Sequence, residues 1–225
     1  MMHYLSQKEV HELEIKANQI RQSIIEMLVA AGSGHTAGPL DMADIFALLY
    51  FRVLRHDPKN PDWEDRDRLV LSAGHICPVL YATMAHAGYL PVDELLTLRK
   101  FGSRLQGHPH RSALPGLETT SGPLGSGLSQ AVGMAIAERM DNQYSSKYIY
   151  CVTGDGELNE GQIWEAAMLA GREKLHNLIV IVDRNGIQID GDTKDVMPLE
   201  SLRDKFESFN FDVQEVDGHN IRMVN

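Results

Sequence analysis

The chain contains 225 residues with a formal net charge of −10; 43% are hydrophobic and 23% charged, the balance of a globular domain with a buried core. An acidic chain of this kind argues against non-specific binding to nucleic acid and against attraction to an anionic membrane surface. The polar N-terminus lacks the apolar segment of a signal peptide and no apolar run reaches membrane-spanning length, so we expect a cytoplasmic protein.

The chain is predicted to begin with a long amphipathic helix. Ser6 and Glu9 have the spacing of a capping box, and apolar residues then recur at steps of three and four from Val10 to Ala31. Gly32 follows as a C-terminal cap. The apolar stripe could pack in the core or against a partner with equal ease, since its heptad-like spacing serves either.

Further helices are predicted after the loop GSGHTAGPL. We expect the second helix to start at Asp41, which would cap it, and to continue to about Leu54. Another helix should end near Ala87, and one more should cover Val92–Phe101.

From residue 68 onward, strands alternate with helices. The predicted strands are Arg68–Ser72, Lys147–Thr153, Leu178–Asp183 and Phe211–Val216, and the later helices are Ser129–Met140, Gly161–Lys174 and Leu199–Ser208. This alternation predicts an α/β fold with a doubly wound parallel sheet flanked by helices, in a single domain over residues 1–225. Because the chain stops soon after its last predicted strand, we expect a domain whose C-terminal part is missing or is completed by a partner.

Two cysteines, Cys77 and Cys151, are too few for a disulfide framework. Both lie among apolar residues, and the composition around them predicts buried thiols.

Two predicted strands end in hard oxygen ligands. Asp155 follows the strand CVTG, and Asn185 follows LIVIVDR, shortly before the carbonyl of Ile187. Carboxylate, amide and carbonyl oxygens suit Mg²⁺ or Ca²⁺, and Mg²⁺ usually keeps coordination positions for phosphate oxygens. Open α/β sheets bind ligands at the carboxyl ends of their strands. The sequence therefore predicts a metal-bridged diphosphate at that edge.

Three histidines follow glycines at the ends of predicted elements, namely His35, His75 and His108. A neutral imidazole both donates and accepts hydrogen bonds near neutral pH, which suits the hydroxyls and the carbonyl of a sugar. We expect these histidines, the loop SGPLGSG at 121–127 and the two metal-ligand turns to outline one pocket.

Six motifs in the same order resemble the N-terminal, diphosphate-binding part of transketolase, a thiamine diphosphate enzyme. The motifs are SGH at 33–35, SAGH at 72–75, GHP at 107–109, TTSGPLGSG at 119–127, GDGELNEG at 154–161 and DRNGIQIDG at 183–191. They span nearly the whole chain. Some members of that family are split into two polypeptides, and this chain resembles the N-terminal subunit.

The resemblance implies thiamine diphosphate and Mg²⁺ as cofactors, with Ca²⁺ or Mn²⁺ as substitutes for the metal. Asp155, Asn185 and the main-chain carbonyl of Ile187 would bind the metal, and Asn185 would also contact the cofactor. Gly156 would present its backbone N–H to the diphosphate at the start of a helix.

The resemblance also assigns the other end of the cofactor. Gly122 and Leu124 would offer backbone groups to the aminopyrimidine ring, and Pro123 would stiffen the turn between them. His75 would approach the cofactor, and Glu160 would lie at a subunit interface.

The implied reaction is the transfer of a two-carbon ketol unit between sugar phosphates, with the cofactor as electron sink. His35 and His108 would be catalytic and would contact the sugar around its reacting carbon. Asp41 and His110 stand where relatives often have other residue types, so the resemblance does not specify the sugar.

The family activates thiamine diphosphate with a glutamate in a separate pyrimidine-binding domain, and we expect no such domain in this chain. We therefore expect a C-terminal partner subunit, assembly into a heterotetramer, and no activity without the partner. Two other possibilities stay open at this point. One is another thiamine diphosphate enzyme, a 2-oxo acid dehydrogenase component or a deoxyxylulose phosphate synthase, and the other is an inactive cofactor-binding module.

Overall fold

The structure is a computed structural model that describes residues 4–142, 144–189 and 191–225. The chain divides into two compact units, which are described separately. The first comprises Met1–Arg66, His75–Gly116 and Glu215–Asn225, and the second comprises Asp67–Gly74 and Leu117–Gln214. The single domain expected over residues 1–225 stays a prediction.

The helices are α1 (Gln7–Ala31), α2 (Ala37–Asp41), α3 (Ala43–Leu48), α4 (Cys77–Ala87), α5 (Ser126–Asp141), α6 (Gly161–Glu173), α7 (Thr193–Val196), α8 (Leu202–Ser208) and α9 (Ile221–Val224). The strands are β1 (Arg68–Leu71), β2 (Ile149–Gly154), β3 (Leu178–Asp183), β4 (Ile187–Gln188) and β5 (Gly191–Asp192). A π-helical turn covers Leu49–Val53, and 3₁₀ turns cover Gly74–Ile76, Val92–Thr97 and Gly156–Asn159. Among the described residues, no helix combines the length and apolar character needed to cross a membrane.

In the first unit, α1 has both of its predicted ends. Glu9 N donates to Ser6 Oγ at 3.2 Å and Ser6 N donates to Glu9 Oε2 at 2.8 Å, which completes the capping box. Gly32 caps the C-terminus with a φ of 64°, a left-handed conformation that favours glycine. The predicted apolar stripe is buried at Val10, Leu13, Ala17, Ile20, Ile24 and Met27. The stripe therefore packs in the core.

The second predicted helix is wrong in its boundaries. Asp41 does not begin a helix that runs to Leu54; it ends α2, and α3 follows with Met42 at its N-cap and no side-chain cap. The Asp41 carboxylate instead lies 2.9 Å from Nε2 of His219. The capping preference of aspartate is a local property of the sequence. Here the Asp41 carboxylate contacts a histidine that is distant in the sequence and does not cap a helix N-terminus.

His219 joins the C-terminal segment of this unit to α2 and α3. Its Nδ1 lies 3.0 Å from Oδ2 of Asp44, which is also paired with Arg21. Carboxylates accept hydrogen bonds, so two nitrogens that face two carboxylates must both donate, as an imidazolium does. Correspondingly, the hydrogen bond to Asp44, followed by the charges of Asp41 and Asp44, raises the pKa of His219 above its ordinary value.

The helix expected over Val92–Phe101 is also wrong. A 3₁₀ turn covers Val92–Thr97, and Arg99 then adopts a φ of 59° that no helix can accommodate. Its backbone N–H bonds to the carbonyl of Leu105 at 3.0 Å, which folds this segment back on itself.

In the second unit, the described residues form a parallel sheet in the order β1-β2-β3. Leu71 is paired with Val152, and Gly154 with Asp183, so the three strands end at the same edge. Helices α5 and α6 cover the sheet through a cluster of buried apolar side chains that includes Leu128, Ala135, Cys151, Ile163 and Ala167. The prediction of an α/β fold with a parallel sheet flanked by helices is confirmed.

The strand predicted over Phe211–Val216 is not formed. Phe211 and Val213 are half-buried against the apolar cluster of the second unit, whereas Asp212 and Gln214 are exposed. Burial therefore alternates along this segment as it would in a strand. A strand also needs a neighbouring ladder of hydrogen bonds. Here the Phe211 N–H bonds back to the carbonyl of Phe206 at 3.2 Å, and the Val213 carbonyl accepts from the Arg203 side chain at 2.9 Å.

Both cysteines are buried, as predicted. Burial raises the pKa of Cys77 to about 12 and also raises the pKa of Cys151. Neither thiol therefore has the character of a reactive nucleophile.

Candidate functional site

The predicted metal-ligand turns leave the sheet at one edge. Asp155 follows β2 directly, and β3 ends at Asp183, the register partner of Gly154. The Asp155 N–H donates to the Asp183 carbonyl at 3.0 Å, so the sheet pairing continues into the turn. We call residues 154–156 the metal turn. Parallel pairing therefore places it beside the loop that carries Asn185 and Ile187.

The carboxylate of Asp155 is the centre of this edge. Its side chain is buried, with 1% of the residue exposed. Oδ1 accepts from the N–H of Gly156 at 2.7 Å, and Oδ2 accepts from the N–H of Gly186 at 2.8 Å. Oδ2 also contacts Nη1 of Arg184 at 3.1 Å. Two backbone amides and a guanidinium thus compensate a buried negative charge, and Oδ1 has a lone pair left for a cation.

Asn185 and Ile187 flank Gly186, the residue that contacts Asp155. Asn185 Oδ1 accepts from the N–H of Ile187 at 2.9 Å, and Asn185 Nδ2 donates to Asp183 at 3.0 Å. The structure therefore brings the three predicted metal ligands to one edge of the second unit.

The donor set fits a hard cation. The described part of the chain has no cluster of three or more His, Cys, Asp or Glu side chains suited to a metal. The edge offers instead one carboxylate with an amide and a carbonyl oxygen, the neutral-rich oxygen set that leaves Mg²⁺ free to bind phosphate.

Gly156 differs in one respect from the expectation. It begins the 3₁₀ turn Gly156–Asn159, whereas the long helix α6 begins later, at Gly161. A Cβ on Gly156 would lie 3.1 Å from Cγ of Gln188, and Oε1 of Gln188 is buried without a hydrogen-bond partner among the described residues. A buried polar atom without a partner is unusual in a folded protein, and it fits a site that takes a polar ligand.

Residues 121–127, which we call the ring loop, contain the predicted contacts to the aminopyrimidine. The Leu124 carbonyl accepts from Nε2 of Gln162 at 2.7 Å, and the Pro123 carbonyl accepts from the Ser126 hydroxyl at 2.8 Å. A Cβ on Gly122 would meet no atom within 4 Å, so this position faces open space. The loop is thus fixed on one side and accessible on the other.

Glu160 lies against the ring loop. A Cβ on Gly125 would come within 2.9 Å of the Glu160 Cβ, and Gly125 has a φ of 83°. The Glu160 side chain itself is exposed. Its role at a subunit interface stays a prediction.

Glu157 is a residue that the sequence analysis missed. Only 2% of it is exposed, and its carboxylate accepts from the hydroxyl of Ser72, from the N–H of Gly125 at 2.6 Å and from the N–H of Gly154 at 3.1 Å. Burial is the main cause that raises its pKa above the ordinary value. The motif GDGE contains the residue, but nothing in the motif indicates that the carboxylate points inward.

In the first unit, the three predicted histidines lie together. The rings of His35 and His75 have centroids 5.0 Å apart in an edge-to-face arrangement. Burial, and then the charges of His35 and His108, lower the pKa of His75 to about 4. Burial also lowers the pKa of His35 and of His108. The single pocket expected for the histidines and the metal ligands involves both units and stays a prediction.

Arg99 is the second residue that the sequence analysis missed. A Cβ on Gly107 would lie 2.9 Å from Arg99 Nε, and one on Gly34 would lie 3.9 Å from it. The glycine that precedes His108 therefore leaves room for the guanidinium. The charge of Arg99 contributes to the lowered pKa of both His35 and His108.

Comparisons with known proteins identify the family of the chain. A family profile described as "Transketolase, thiamine diphosphate binding domain" matches residues 13–225. The chain is 46% identical over 216 residues to the 6-deoxy-6-sulfo-D-fructose transketolase subunit SqwG of Clostridium sp. (strain MSTE9), a match that covers 96% of this chain and 78% of that protein. It is 42% identical over 210 residues to an apulose-4-phosphate transketolase subunit of Phocaeicola vulgatus, with 93% of this chain and 74% of that protein covered.

Solved structures give the same result. Transketolase from Campylobacter jejuni matches with a TM-score of 0.90 and 40% identity over 95% of this chain. The match covers 34% of that protein, so the chain spans about a third of its length. The chain belongs to the transketolase family, in which it corresponds to the thiamine diphosphate-binding domain at the N-terminus and is similar to the N-terminal subunits of split transketolases.

Proposed function

We propose that this chain binds thiamine diphosphate through Mg²⁺ and acts, together with a C-terminal partner subunit, as a transketolase. The observation that carries the proposal is the buried Asp155 carboxylate of the metal turn, which accepts hydrogen bonds from Gly156 and from Gly186, the residue between Asn185 and Ile187. Two backbone N–H groups and Arg184 compensate the charge of this carboxylate, and its Oδ1 keeps a lone pair that a hard cation can take. Thiamine diphosphate, when bound, supplies the nucleophilic carbon and the electron sink for breaking the bond next to a ketose carbonyl.

The residues of the second unit would hold the two ends of the cofactor. Asp155, Asn185 and the Ile187 carbonyl would bind Mg²⁺, with Ca²⁺ or Mn²⁺ as substitutes. The N–H of Gly156 now donates to Asp155, so loading the site would exchange that internal bond for a contact to the diphosphate.

The ring loop would serve the aminopyrimidine. Gly122 and Leu124 would present backbone groups to the ring, and Pro123 would limit the flexibility of the turn. Support comes from the side-chain bond of Gln162 to Leu124, which fixes the loop before any ligand arrives.

The histidines of the first unit would serve the sugar. His35 and His108 would contact it, and His75 would approach the cofactor. Lowered pKa values keep all three imidazoles neutral near pH 7, so each can accept a proton or a hydrogen bond from a substrate hydroxyl.

The partner and the substrate class are inferred from the names of two similar proteins. Two similar proteins are named as transketolase subunits, which supports a C-terminal subunit that would supply the pyrimidine-binding domain and assemble with this chain into a heterotetramer. Their names contain different sugars, a sulfonated ketose and a phosphorylated one. The shared chemistry is an anionic sugar that donates a two-carbon ketol unit, and we propose a sugar phosphate here.

Cofactor binding can be measured on the chain alone by titration calorimetry with thiamine diphosphate and Mg²⁺. We expect binding that EDTA abolishes and that Ca²⁺ or Mn²⁺ restores. Metal-independent binding, or no binding at all, would contradict the proposed site.

Activity requires the partner. The chain is mixed with the product of a neighbouring reading frame that carries a pyrimidine-binding domain, with thiamine diphosphate, Mg²⁺, xylulose 5-phosphate and an aldose phosphate acceptor. We expect ketol transfer from the mixture and none from either protein alone. A stable complex that binds the cofactor but transfers no ketol unit from any anionic ketose tested would refute the transketolase assignment.

A further inference from the structure

We propose that Glu157 is a positioning residue that couples the ring loop to the metal turn, so that the two ends of the cofactor site become ordered together. The inference rests on the proposed function for its ligand. Its physical basis is one buried carboxylate that accepts hydrogen bonds from three separate segments of the second unit.

The three donors come from three different strand ends and loops. Ser72 follows β1 and donates its hydroxyl, Gly125 in the ring loop donates its N–H at 2.6 Å, and Gly154 in the metal turn donates its N–H at 3.1 Å. Two of these donors are backbone groups, so the bonds fix the path of the chain itself. A charged acceptor forms stronger hydrogen bonds than a neutral one, which makes these links firmer than those of an ordinary turn.

Further contacts of the ring loop lead back to the same carboxylate. The Ser72 hydroxyl that donates to Glu157 also accepts from the N–H of Gly127 at 3.1 Å. A Cβ on Gly127 would lie 2.6 Å from Cα of Ser72, so this approach is possible only with glycine. The ring loop is also anchored to β1 by the Ser121 hydroxyl, which donates to the Leu71 carbonyl at 2.5 Å.

The consequence is a rigid connection through a short path. A displacement of the metal turn moves the N–H of Gly154 and therefore shifts the position of the Glu157 carboxylate. The shift in turn changes the hydrogen bond that this carboxylate accepts from the N–H of Gly125. Glu157 lies in the 3₁₀ turn that follows Asp155, so filling the metal position acts directly on this connection. The residue needs no contact with the cofactor, and it acts through Gly154 and Gly125.

The test compares Glu157→Gln with Glu207→Gln, which makes the same change at an exposed ion pair with Arg203 in α8. A glutamine keeps the size of the side chain but places an amide N–H against the donors that Glu157 accepts from. We expect the Glu157 variant to bind thiamine diphosphate with Mg²⁺ about tenfold or more weakly, the loss typical of an outer-shell partner of a metal site. The Glu207 variant should bind like the wild type.

Hydrogen exchange gives the readout that a merely structural role would not change. In the wild type, saturating thiamine diphosphate and Mg²⁺ should slow exchange in the ring loop (residues 121–127) and in the metal turn (residues 154–156) together. In Glu157→Gln at saturation, the metal turn should still be protected while the ring loop exchanges about tenfold faster than in the wild type. Ser72→Ala removes one of the three donors, so its ring loop should also exchange faster than that of the wild type while the metal turn stays protected, but to a smaller degree. This variant replaces Glu157→Gln in the test if the glutamine variant does not fold.

The outcomes separate the two proposals. Equal affinity and joint protection of both segments in Glu157→Gln would overturn the coupling and leave the proposed function intact. If the wild type binds no thiamine diphosphate with Mg²⁺, the proposed function fails, and this inference fails with it.

Discussion

The double use of Asp155 as acceptor and as predicted metal ligand gives the sharpest test of the site. Replacing Asp155 by alanine should destabilise the chain even when no metal is present. The carboxylate accepts from the N–H groups of Gly156 and Gly186 at 2.7 and 2.8 Å, and it is almost fully buried. Hydrogen bonds to charged groups contribute about 1.5–3 kcal/mol each, and removing the acceptor leaves both donors without a partner.

The expected loss is therefore about 3–6 kcal/mol in the free energy of unfolding, counting only the two backbone donors. Arg184 contributes little to this loss, because its side chain is 37% exposed and its ion pair is screened by solvent. Asp155→Asn keeps one acceptor oxygen and should lose about 2 kcal/mol. Against a usual stability of about 5–15 kcal/mol, the alanine variant stands near the limit of folding.

Urea denaturation in EDTA, followed by circular dichroism, measures the free energy of unfolding of the wild type and of the two Asp155 variants. The variant Asp212→Asn, at an exposed position, is the matched control. Saturating thiamine diphosphate and Mg²⁺ at about 100 times the dissociation constant should add about 2.7 kcal/mol to the wild type and nothing to Asp155→Asn. An alanine variant as stable as the wild type would refute the hydrogen-bond argument. An asparagine variant stabilised like the wild type by metal and cofactor would refute the ligand assignment.

Three further predictions concern protonation and packing. Because the pKa of His219 is raised in the folded state, its contribution to stability should be complete below pH 6.5 and lost as the pH rises through the folded-state pKa. The difference in the free energy of unfolding between the wild type and His219→Ala should therefore shrink between pH 6 and pH 9. His75, with a pKa of about 4, binds protons more readily when unfolded, so acidification from pH 6.5 to 4 should destabilise the wild type more than His75→Gln, as urea titrations would show. Gly127→Ala should lower stability by about 3 kcal/mol or more, because its Cβ would lie 2.6 Å from Cα of Ser72. In the same helix, the Cβ of Gly133→Ala meets nothing within 4 Å, so this variant should be neutral or stabilising by up to about 1 kcal/mol. Equal melting temperatures for the two variants would contradict the packing argument.

Local patterns predicted those elements whose determinants are local. The capping box of α1, its terminal Gly32 and the strands β1, β2 and β3 follow from spacing and composition, and the structure contains them. The metal turn and the loop that carries Asn185 and Ile187 lie together because β2 and β3 are parallel and end in register, which brings the residues that follow them to one edge of the sheet.

The failures have causes that are distant in the sequence. Asp41 has the residue type of a helix cap, but its contact is His219 at the other end of the chain. Phe211–Val216 has the alternation of a strand but no neighbouring ladder. Glu157 reaches Ser72 across 85 positions, and a motif cannot show which way such a side chain turns.

The buried cysteines give the chain a practical property. Cys77 and Cys151 are 1% and 0% exposed, and both thiols have raised pKa values, so the folded protein offers maleimides and mild oxidants no ready target. A cysteine introduced at an exposed position, such as the ring-loop neighbour Glu160, would be the single labelled site. Docking of a second polypeptide could then be followed by a dye at that position without removing either native thiol.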